Sequence, residues 1–242
     1  MAIEFVLLIL GAYLLGSVPL AFLIAKWSRG IDLRQYGSGN VGASNLLIST
    51  SKWLGGLVAL FDVGKGAAMV WVAQLLGLGI AQQVTVGLAV IIGHNWSIFL
   101  RFGGGRGILA TLGVIVVLVP WLSPIALIIA LLFVPFRQLA LGVLISLISL
   151  PIFGWFLSQP LGINERLPIT LGFLFALLIA VFKRLVAPRT SVTASVPTRQ
   201  LFVNRLLFDR DIRDREAWIQ RAPPEVSSAE QPSSQQKKQG KG

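Results

Sequence analysis

The stretch FVLLILGAYLLGSVPLAFLIA, residues 5–25, contains no charged residue. A helix that crosses a bilayer needs about 20 mostly apolar residues, so this stretch is long enough to cross once. A cleaved signal peptide has a shorter apolar core that follows a more basic N-terminal region. We therefore expect residues 5–25 to form the first transmembrane helix of a membrane protein.

The rest of the chain continues this pattern. Its 242 residues are 55% hydrophobic and 13% charged, with a mean hydropathy of +0.77, which is typical of a membrane protein. Six further apolar runs follow at 54–77, 80–99, 107–119, 121–135, 139–157 and 167–182. The prediction is an all-α integral membrane protein with seven transmembrane helices and glycine-rich cytoplasmic loops. Because the fourth and fifth runs are separated only near Pro120, one long kinked helix is the alternative, and it would reverse the orientation of all later segments.

Lysine and arginine are concentrated in alternate connectors. The basic connectors are 26–53, 100–106, 136–138 and the tail, which starts with Lys183, Arg184 and Arg189. The connectors near 78–80 and 120 have no basic residue, and Glu165 cancels Arg166 in the last one. Cytoplasmic loops of membrane proteins are enriched in Lys and Arg. We therefore expect a multi-pass protein of the cell inner membrane, with its N-terminus outside and its C-terminus in the cytoplasm.

The composition also excludes several classes of site. The chain has no cysteine and a single histidine, His94, so a disulfide, a cysteine nucleophile and a two-histidine metal site are all excluded. The net charge of +11 lies mainly beside the apolar runs. This placement indicates membrane topology and attraction to anionic membrane lipids rather than binding of nucleic acid.

Composition divides the chain into four parts. Residues 1–186 form the predicted seven-helix domain, and 187–198 are a polar linker. Residues 199–221 alternate acidic and basic side chains around apolar ones, which predicts an amphipathic helix on the cytoplasmic membrane surface. This segment is also a candidate binding surface for a protein partner. Residues 222–242 are polar and are expected to be disordered.

The first glycine-rich loop reads GSGNVGASN, residues 37–45, and contains the spacing G-x-G-x-x-G. A dinucleotide-binding loop with this spacing lies between a strand and a helix, whereas this loop follows a membrane helix and a charged segment. A dinucleotide fold is therefore excluded. The glycines can let backbone N–H groups converge on an anion, or they can simply let the loop turn and pack.

A second glycine-rich loop favours the anion site. It reads GHNWSIFLRFGGGRG, residues 93–107, and belongs to the same predicted side of the membrane. Its Arg106 offers a planar fork of donors that suits phosphate. Between the two loops, FDVGKG at 61–66 places Asp62 and Lys65 inside a predicted span. An internal ion pair at this spacing and a functional role are equally compatible with these two charges.

Four segments together resemble the acyl-phosphate-dependent glycerol-3-phosphate acyltransferases, the PlsY family. They are GAYLLGSVPLAFLI at 11–24, GSGNVGASN at 37–45, FDVGKG at 61–66 and GHNWSIFLRFGGGRG at 93–107. The resemblance covers residues 5 to about 186 in order and spacing. It implies a seven-span enzyme that transfers an acyl group from acyl phosphate to the primary hydroxyl of glycerol 3-phosphate. The product would be lysophosphatidate, and neither coenzyme A nor a metal would be required.

The resemblance also assigns roles to individual residues. The predicted catalytic residues are Ser38, His94 and Arg106, with His94 either orienting a loop or assisting proton transfer. A lone histidine at a helix end is also commonly a simple hydrogen-bonding residue. The predicted phosphate-binding residues are Gly37, Gly39, Asn40, Gly42, Ser44, Asn45, Lys65, Gly103, Gly104, Gly105, Gly107 and Arg184.

The chain departs from the family pattern at several positions. Ser44 takes the place of a threonine, Ile48 that of an arginine and Arg106 that of a lysine. The family's histidine and asparagine after the seventh span fall at Leu178 and Val181, and small polar positions are occupied by Leu20, Ala140 and Val143. The alternative function is therefore a catalytically impaired relative that binds phosphate or lipid. A transporter is disfavoured because both glycine loops lie on one side rather than in corresponding halves.

Overall fold

The computed structural model describes residues 2–157, 159–160, 165–187, 193 and 196–221. The predicted disordered segment 222–242 and most of the predicted linker lie outside these residues. Within them the chain forms eleven α-helices, one short 3-10 helix and no strand. The helices are α1 (Ala2–Ser17), α2 (Leu20–Arg29), α3 (Ala43–Ser49), α4 (Lys52–Leu75), α5 (Ile80–Asn95), α6 (Ile108–Leu118), α7 (Leu122–Leu131), α8 (Leu139–Leu157), α9 (Arg166–Leu185), α10 (Thr198–Phe208) and α11 (Arg215–Ile219). The 3-10 helix is Ile98–Leu100.

Four helical segments are long and apolar enough to cross a membrane. They are Ala2–Arg29, Lys52–Leu75, Leu139–Leu157 and Arg166–Leu185, while α6 and α7 are shorter apolar helices. The first of them contains the break between α1 and α2, where Pro19 lacks the N–H that a continuous helix would use. Large apolar side chains such as Leu60 and Phe156 are 72% and 68% exposed. Such exposure is expected where a helix faces lipid.

Close glycine contacts and hydrogen bonds define the helix directions. Gly16 of α1 packs on the backbone of Val90 in α5, and Gly66 of α4 packs on that of Ala110 in α6. Helices α1 and α5 are parallel, because they pack along each other and both end at the contact where Ser97 Oγ donates to the carbonyl of Ser17. The contact of Gln74 with Val117 shows that α4 and α6 are parallel too. Helix α4 is antiparallel to α5, because Lys65 lies against His94 and Gln74 against Gln83. Glycine at such crossings brings two backbones together, as small residues do between membrane helices.

Helices α6 and α7 run in opposite directions. Ser146 Oγ of α8 donates to the carbonyl of Ala126 in α7, and Gly142 of α8 packs on Ala130, so α7 is antiparallel to α8. Helix α8 is antiparallel to α9, which lies parallel to α5. The turn at residues 119–121 therefore reverses the chain. The alternative of one long kinked helix through Pro120 is therefore wrong, since α6 and α7 are separate helices.

The basic connectors meet at one end of the bundle. Arg29 Nη2 donates to the carbonyl of Thr50 at 3.2 Å, and Arg106 Nη1 donates to that of Lys183 at 2.6 Å. At the opposite end, Gln74 joins the ends of α4 and α6 through its hydrogen bond to Val117. The connectors that carry Lys and Arg and the connectors that lack them thus lie at opposite ends of the bundle. We call the end that carries the basic connectors the loop end.

The tail folds onto the loop end as two helices rather than as one helix over 199–221. Helix α10 ends because Asp209 adopts a left-handed conformation, with φ 52°. Arg205 Nε then lies 2.6 Å from Asp211 Oδ1 in a buried ion pair. Helix α10 packs against α8 and α9. Internal pairing of acid and base therefore keeps the tail compact, and α10 packs it against the bundle.

The glycine crossing of α4 and α6 gives a test of this packing. An added Cβ at Gly66 would overlap the carbonyl oxygen of Ala110, whereas an added Cβ at Gly64 has no atom within 4 Å. We expect Gly66→Ala to lower the free energy of unfolding by about 1–3 kcal/mol, since overpacking forces the two backbones apart. The matched variant Gly64→Ala should leave stability unchanged or raise it slightly. Thermal unfolding in detergent measures both, and equal melting temperatures would contradict the crossing.

Candidate active site

The first glycine-rich loop is organised from within by Asn45. Gly37 and Gly39 have φ values of 52° and 70°, in the left-handed region that favours glycine. The buried Asn45 amide donates to the carbonyls of Leu33, Tyr36 and Asn40 at 3.2, 3.0 and 3.0 Å. Its Oδ1 accepts from the backbone N–H of Ser38 at 3.1 Å. Asn45 is therefore occupied in shaping the loop.

The other polar side chains of this loop are more accessible. Ser38 and Asn40 are partly buried, and the Asn40 N–H donates to Ser38 Oγ at 3.3 Å. Ser44 is exposed on α3, and Gly42 precedes that helix in an extended conformation. The side chains of Ser38 and Asn40 thus keep part of their surface accessible.

Beneath the loops lies a buried group of three titratable side chains. Lys65 Nζ is 2.8 Å from Asp62 Oδ1 and 2.9 Å from His94 Nδ1, and it also donates to the carbonyl of Gly16 at 3.0 Å. His94 Nδ1 lies 3.4 Å from Asp62 Oδ1. With Lys65 protonated, Nδ1 of His94 is an acceptor and the ring carries its proton on Nε2. Lys65 is a predicted phosphate-binding residue, but its ammonium group is already bound to three protein partners.

The second glycine-rich loop passes directly over His94. The N–H of Gly105 donates to the carbonyl of His94 at 3.1 Å. An added Cβ at Gly105 would overlap Nε2 of His94, and one at Gly104 would overlap the carbonyl oxygen of His94. Gly107 has φ 72° and precedes α6. Glycines are required at 104 and 105 because the loop backbone lies against the histidine.

The two glycine loops line one small cavity. Val41 comes from the first loop, Gly104 and Gly105 come from the second, and the floor contains Asp62 and His94. The segment between α1 and α2, residues 17–20, forms another wall. The loops predicted to form a composite site are therefore neighbours at the loop end of the bundle.

Three basic residues form a group at the loop end, around Arg106, which directly follows Gly105 of the cavity lining. Arg106 Nη1 donates to the carbonyl of Lys183, and its Nε is at ion-pair distance, 2.9 Å, from Asp209 Oδ1 of the tail. Arg184 is buried and donates to the carbonyls of Leu206 and Ala140. Lys183 Nζ lies over the ring of Trp96, 5.1 Å from its centre. Positive charge is therefore concentrated here, with Asp209 as a counter-charge.

Several predicted backbone donors already have protein acceptors. The N–H groups of Gly37, Gly39, Gly103 and Gly105 donate to the carbonyls of Arg221, Tyr36, Leu100 and His94. Two further residues at the site, Asp209 and Arg221, were not among the predicted site residues. The alternation of acid and base in the tail is the sequence signal that could have indicated them, because such a segment can pair with the basic loops.

The sequence is similar to that of one protein family. The profile of the family described as glycerol-3-phosphate acyltransferase matches residues 6–188. A relative from Dehalococcoides mccartyi named glycerol-3-phosphate acyltransferase 5 is 45% identical over 229 residues, which cover 94% of this chain and 98% of the relative. A relative from Laribacter hongkongensis, named glycerol-3-phosphate acyltransferase, is 41% identical over 171 residues, covering 67% and 83%. The first alignment extends past residue 188 and therefore includes part of the tail.

Solved structures are similar as well. PlsY (YgiH), described as an integral membrane glycerol 3-phosphate acyltransferase, is 28% identical in its glycerol 3-phosphate form, with a TM-score of 0.70 over 87% of this chain and 96% of that chain. Its lysophosphatidic acid form has a TM-score of 0.66 over 75% of this chain and 88% of that chain. The chain therefore belongs to the glycerol-3-phosphate acyltransferase family.

Proposed function

We propose that this glycerol-3-phosphate acyltransferase takes its acyl group from an acyl phosphate. The primary hydroxyl oxygen of glycerol 3-phosphate attacks the acyl carbonyl carbon, and the bond from that carbon to the phosphate oxygen breaks. The hydroxyl proton passes to the departing phosphate. The products are lysophosphatidate and inorganic phosphate. Because a mixed anhydride is already activated, positioning and charge stabilisation suffice without an enzyme nucleophile.

One observation carries this proposal: two glycine loops line one cavity, and Arg106, which follows the cavity residue Gly105, meets Lys183 at the same end of the bundle. Both substrates carry phosphate groups, so the site must hold two anions close together. Arg106 is assigned to the acyl phosphate, whose leaving phosphate gains charge as the bond breaks. Ser38 and Asn40 offer a hydroxyl and an amide to glycerol 3-phosphate.

The buried residues beneath the cavity have a supporting role in this proposal. His94 and Asp62 line the cavity, and Lys65 joins them to the carbonyl of Gly16. His94 holds the second glycine loop by packing against Gly105. Arg184 ties α9 to the start of α8 through Ala140. Lys65, Arg184 and Asn45 thus position the phosphate-binding groups without touching the phosphates themselves.

We place the site at the cytoplasmic face of the inner membrane, in a bundle of seven spans with an external N-terminus. The Lys and Arg content of the loop end supports this orientation. Exposed tryptophans support the membrane position, since aromatic residues favour the interface. Trp27 and Trp53 lie at the loop end with 75% and 88% exposure, and Trp121 lies at the opposite end with 68% exposure.

A purified-protein assay tests the donor. The full chain in detergent micelles is incubated with glycerol 3-phosphate and one of three acyl donors: acyl phosphate, acyl-coenzyme A or acylated carrier protein. We expect lysophosphatidate and an equal amount of inorganic phosphate with acyl phosphate only. Turnover should be slow because several polar positions of the family are apolar here, among them Leu178 and Val181.

Two other results would change the conclusion. Product from acyl-coenzyme A alone would reject the acyl-phosphate donor while retaining the acyltransferase. Binding of glycerol 3-phosphate without product from any donor would support the impaired relative. Calorimetric titration of the same preparation with glycerol 3-phosphate separates loss of turnover from loss of binding.

A further inference from the structure

The last described residue of the tail contacts the first glycine-rich loop. The N–H of Gly37 donates to the backbone carbonyl of Arg221 at 2.9 Å. A Cβ added at Gly39 would lie 2.6 Å from Nη2 of Arg221. The guanidinium therefore lies against the loop at a position where only glycine leaves room for it. This contact joins the tail to the loop whose side chains Ser38 and Asn40 remain accessible.

Arg221 is held by its surroundings on the tail side. Its guanidinium carbon lies 4.9 Å from the ring centre of Trp218, which is itself buried. Trp218 belongs to α11, which is capped by Asp214 through hydrogen bonds from the N–H groups of Glu216 and Ala217. The backbone bond to Gly37 and the stacking on Trp218 fix the two ends of the residue. The cation is therefore positioned before any ligand binds.

The donors of this guanidinium lack acceptors. Nε and Nη1 of Arg221 are buried without a hydrogen-bond partner among the residues that the structure describes. Burial lowers the pKa of Arg221, although the charge of Asp211 opposes this effect. Asp211 is itself bound by Arg205 through Nε at 2.6 Å and Nη2 at 3.1 Å. Buried donors without acceptors are costly, so the geometry indicates an anion that completes them.

The loop itself provides no cation for such an anion. Residues 37–45 contain neither lysine nor arginine, and Ile48 follows on α3. The nearby Arg34 is directed to Asp32, with Nη2 2.6 Å from Oδ2. Arg221 therefore brings a guanidinium to a loop that otherwise offers only neutral donors.

We propose that Arg221 binds the phosphate group of glycerol 3-phosphate and thereby makes the tail part of the active site. A planar guanidinium can donate two parallel hydrogen bonds to a phosphate monoester. Arg106 lies between the start of α6 and the end of α9, where it is assigned to the acyl phosphate. Arg221 lies against Gly37 and Gly39 of the first glycine-rich loop, a separate position that leaves it for the second phosphate, that of glycerol 3-phosphate. This assignment rests on the proposed function and adds the residue that holds its soluble substrate.

The test compares three variants of the full chain in detergent micelles. Arg221→Ala keeps the hydrogen bond from Gly37, because that bond uses the backbone carbonyl. We expect this variant to bind glycerol 3-phosphate and inorganic phosphate about 10- to 100-fold more weakly in calorimetric titrations. Arg221→Lys should recover part of the affinity. Arg213→Ala removes the same charge from an exposed position of the tail and should bind like the unaltered chain.

Kinetics identify which substrate Arg221 holds. In Arg221→Ala the KM for glycerol 3-phosphate should rise by a similar factor, while the KM for acyl phosphate stays unchanged. An unchanged affinity for glycerol 3-phosphate, or a rise in the KM for acyl phosphate alone, would overturn the assignment. Melting temperatures of the variants show whether a loss of binding comes from unfolding. If Arg221→Ala is unfolded, the affinity of folded Arg221→Lys for glycerol 3-phosphate decides, and an affinity equal to that of the unaltered chain would overturn the assignment.

The outcomes also separate this inference from the proposed function. Binding of glycerol 3-phosphate that depends on Arg221, without lysophosphatidate from acyl phosphate, would reject the proposed donor and keep the role of Arg221. Normal turnover of acyl phosphate by Arg221→Ala, with an unaltered KM for glycerol 3-phosphate, would keep the proposed function and reject the role of Arg221.

Discussion

Replacing Arg106 by alanine is expected to reduce kcat/KM for acyl transfer by about 100- to 1,000-fold, the usual loss when one preorganised donor to a developing charge is removed. Arg106 is placed for this role by the carbonyl of Lys183 and by Asp209, at 2.6 and 2.9 Å. In the proposed reaction, its removal deprives the leaving phosphate of a charged donor. Release of lysophosphatidate under saturating glycerol 3-phosphate measures the effect.

Two variants control this experiment. Arg106→Lys keeps the charge and restores the residue usual in the family, so it should retain or raise activity. Arg101→Ala removes an exposed arginine from the same loop and should leave kcat/KM within about threefold, as expected for a surface charge. Full activity of Arg106→Ala, or equal losses in Arg106→Ala and Arg101→Ala, would contradict the role of Arg106.

Replacing Asp62 by alanine is expected to destabilise the fold by about 3–5 kcal/mol, because it leaves a buried charge without its partner. Lys65 Nζ lies 2.8 Å from Asp62 Oδ1, and both side chains are at most 5% exposed. The loss should appear as a lower melting temperature in detergent, whatever the effect of the substitution on catalysis.

The matched control is the exposed pair of Asp32 and Arg34. Its atoms are closer, at 2.6 Å, but the two side chains are 28% and 48% exposed. Arg34 lowers the pKa of Asp32, yet solvent screening limits the value of such a pair to about 1 kcal/mol or less. Asp32→Ala should therefore change the melting temperature much less than Asp62→Ala. Equal changes would show that Asp62 and Lys65 do not form the buried support described above.

The double variant Asp62→Leu with Lys65→Met examines the same point. Apolar replacement of both partners removes the unpaired charge, so it should restore part of the stability lost by Asp62→Ala.

Much of the bundle was predictable because membrane crossing imposes long apolar runs. The run 139–157 has the bounds of α8, and 167–182 lies within α9. The break in the first run follows from Pro19, whose effect on a helix is local. The reversal between α6 and α7 was left open by the sequence near Pro120, because their relative direction is established by contacts with α4 and α8 rather than by local residues.

The site was predictable at the level of loops but less so at the level of atoms. The spacing of glycine and polar residues identified both loops, which line one cavity with Asp62 and His94. The sequence cannot show which donors are already used by the protein. Asn45 and Lys65 have the chemistry of phosphate ligands, yet their hydrogen bonds go to the loop backbone, to Gly16 and to the buried partners. The positions of Asp209 and Arg221 depend on how the tail folds back.

The hydrogen bond from Gly37 to Arg221 joins residues roughly 180 positions apart. A ribosome adds about 5–20 residues per second, so Arg221 is synthesised roughly 10–40 s after Gly37. During that interval the first glycine loop has its internal hydrogen bonds to Asn45 but not its contact with the tail. The part of the site that depends on the tail is therefore assembled last, after every membrane helix has been made.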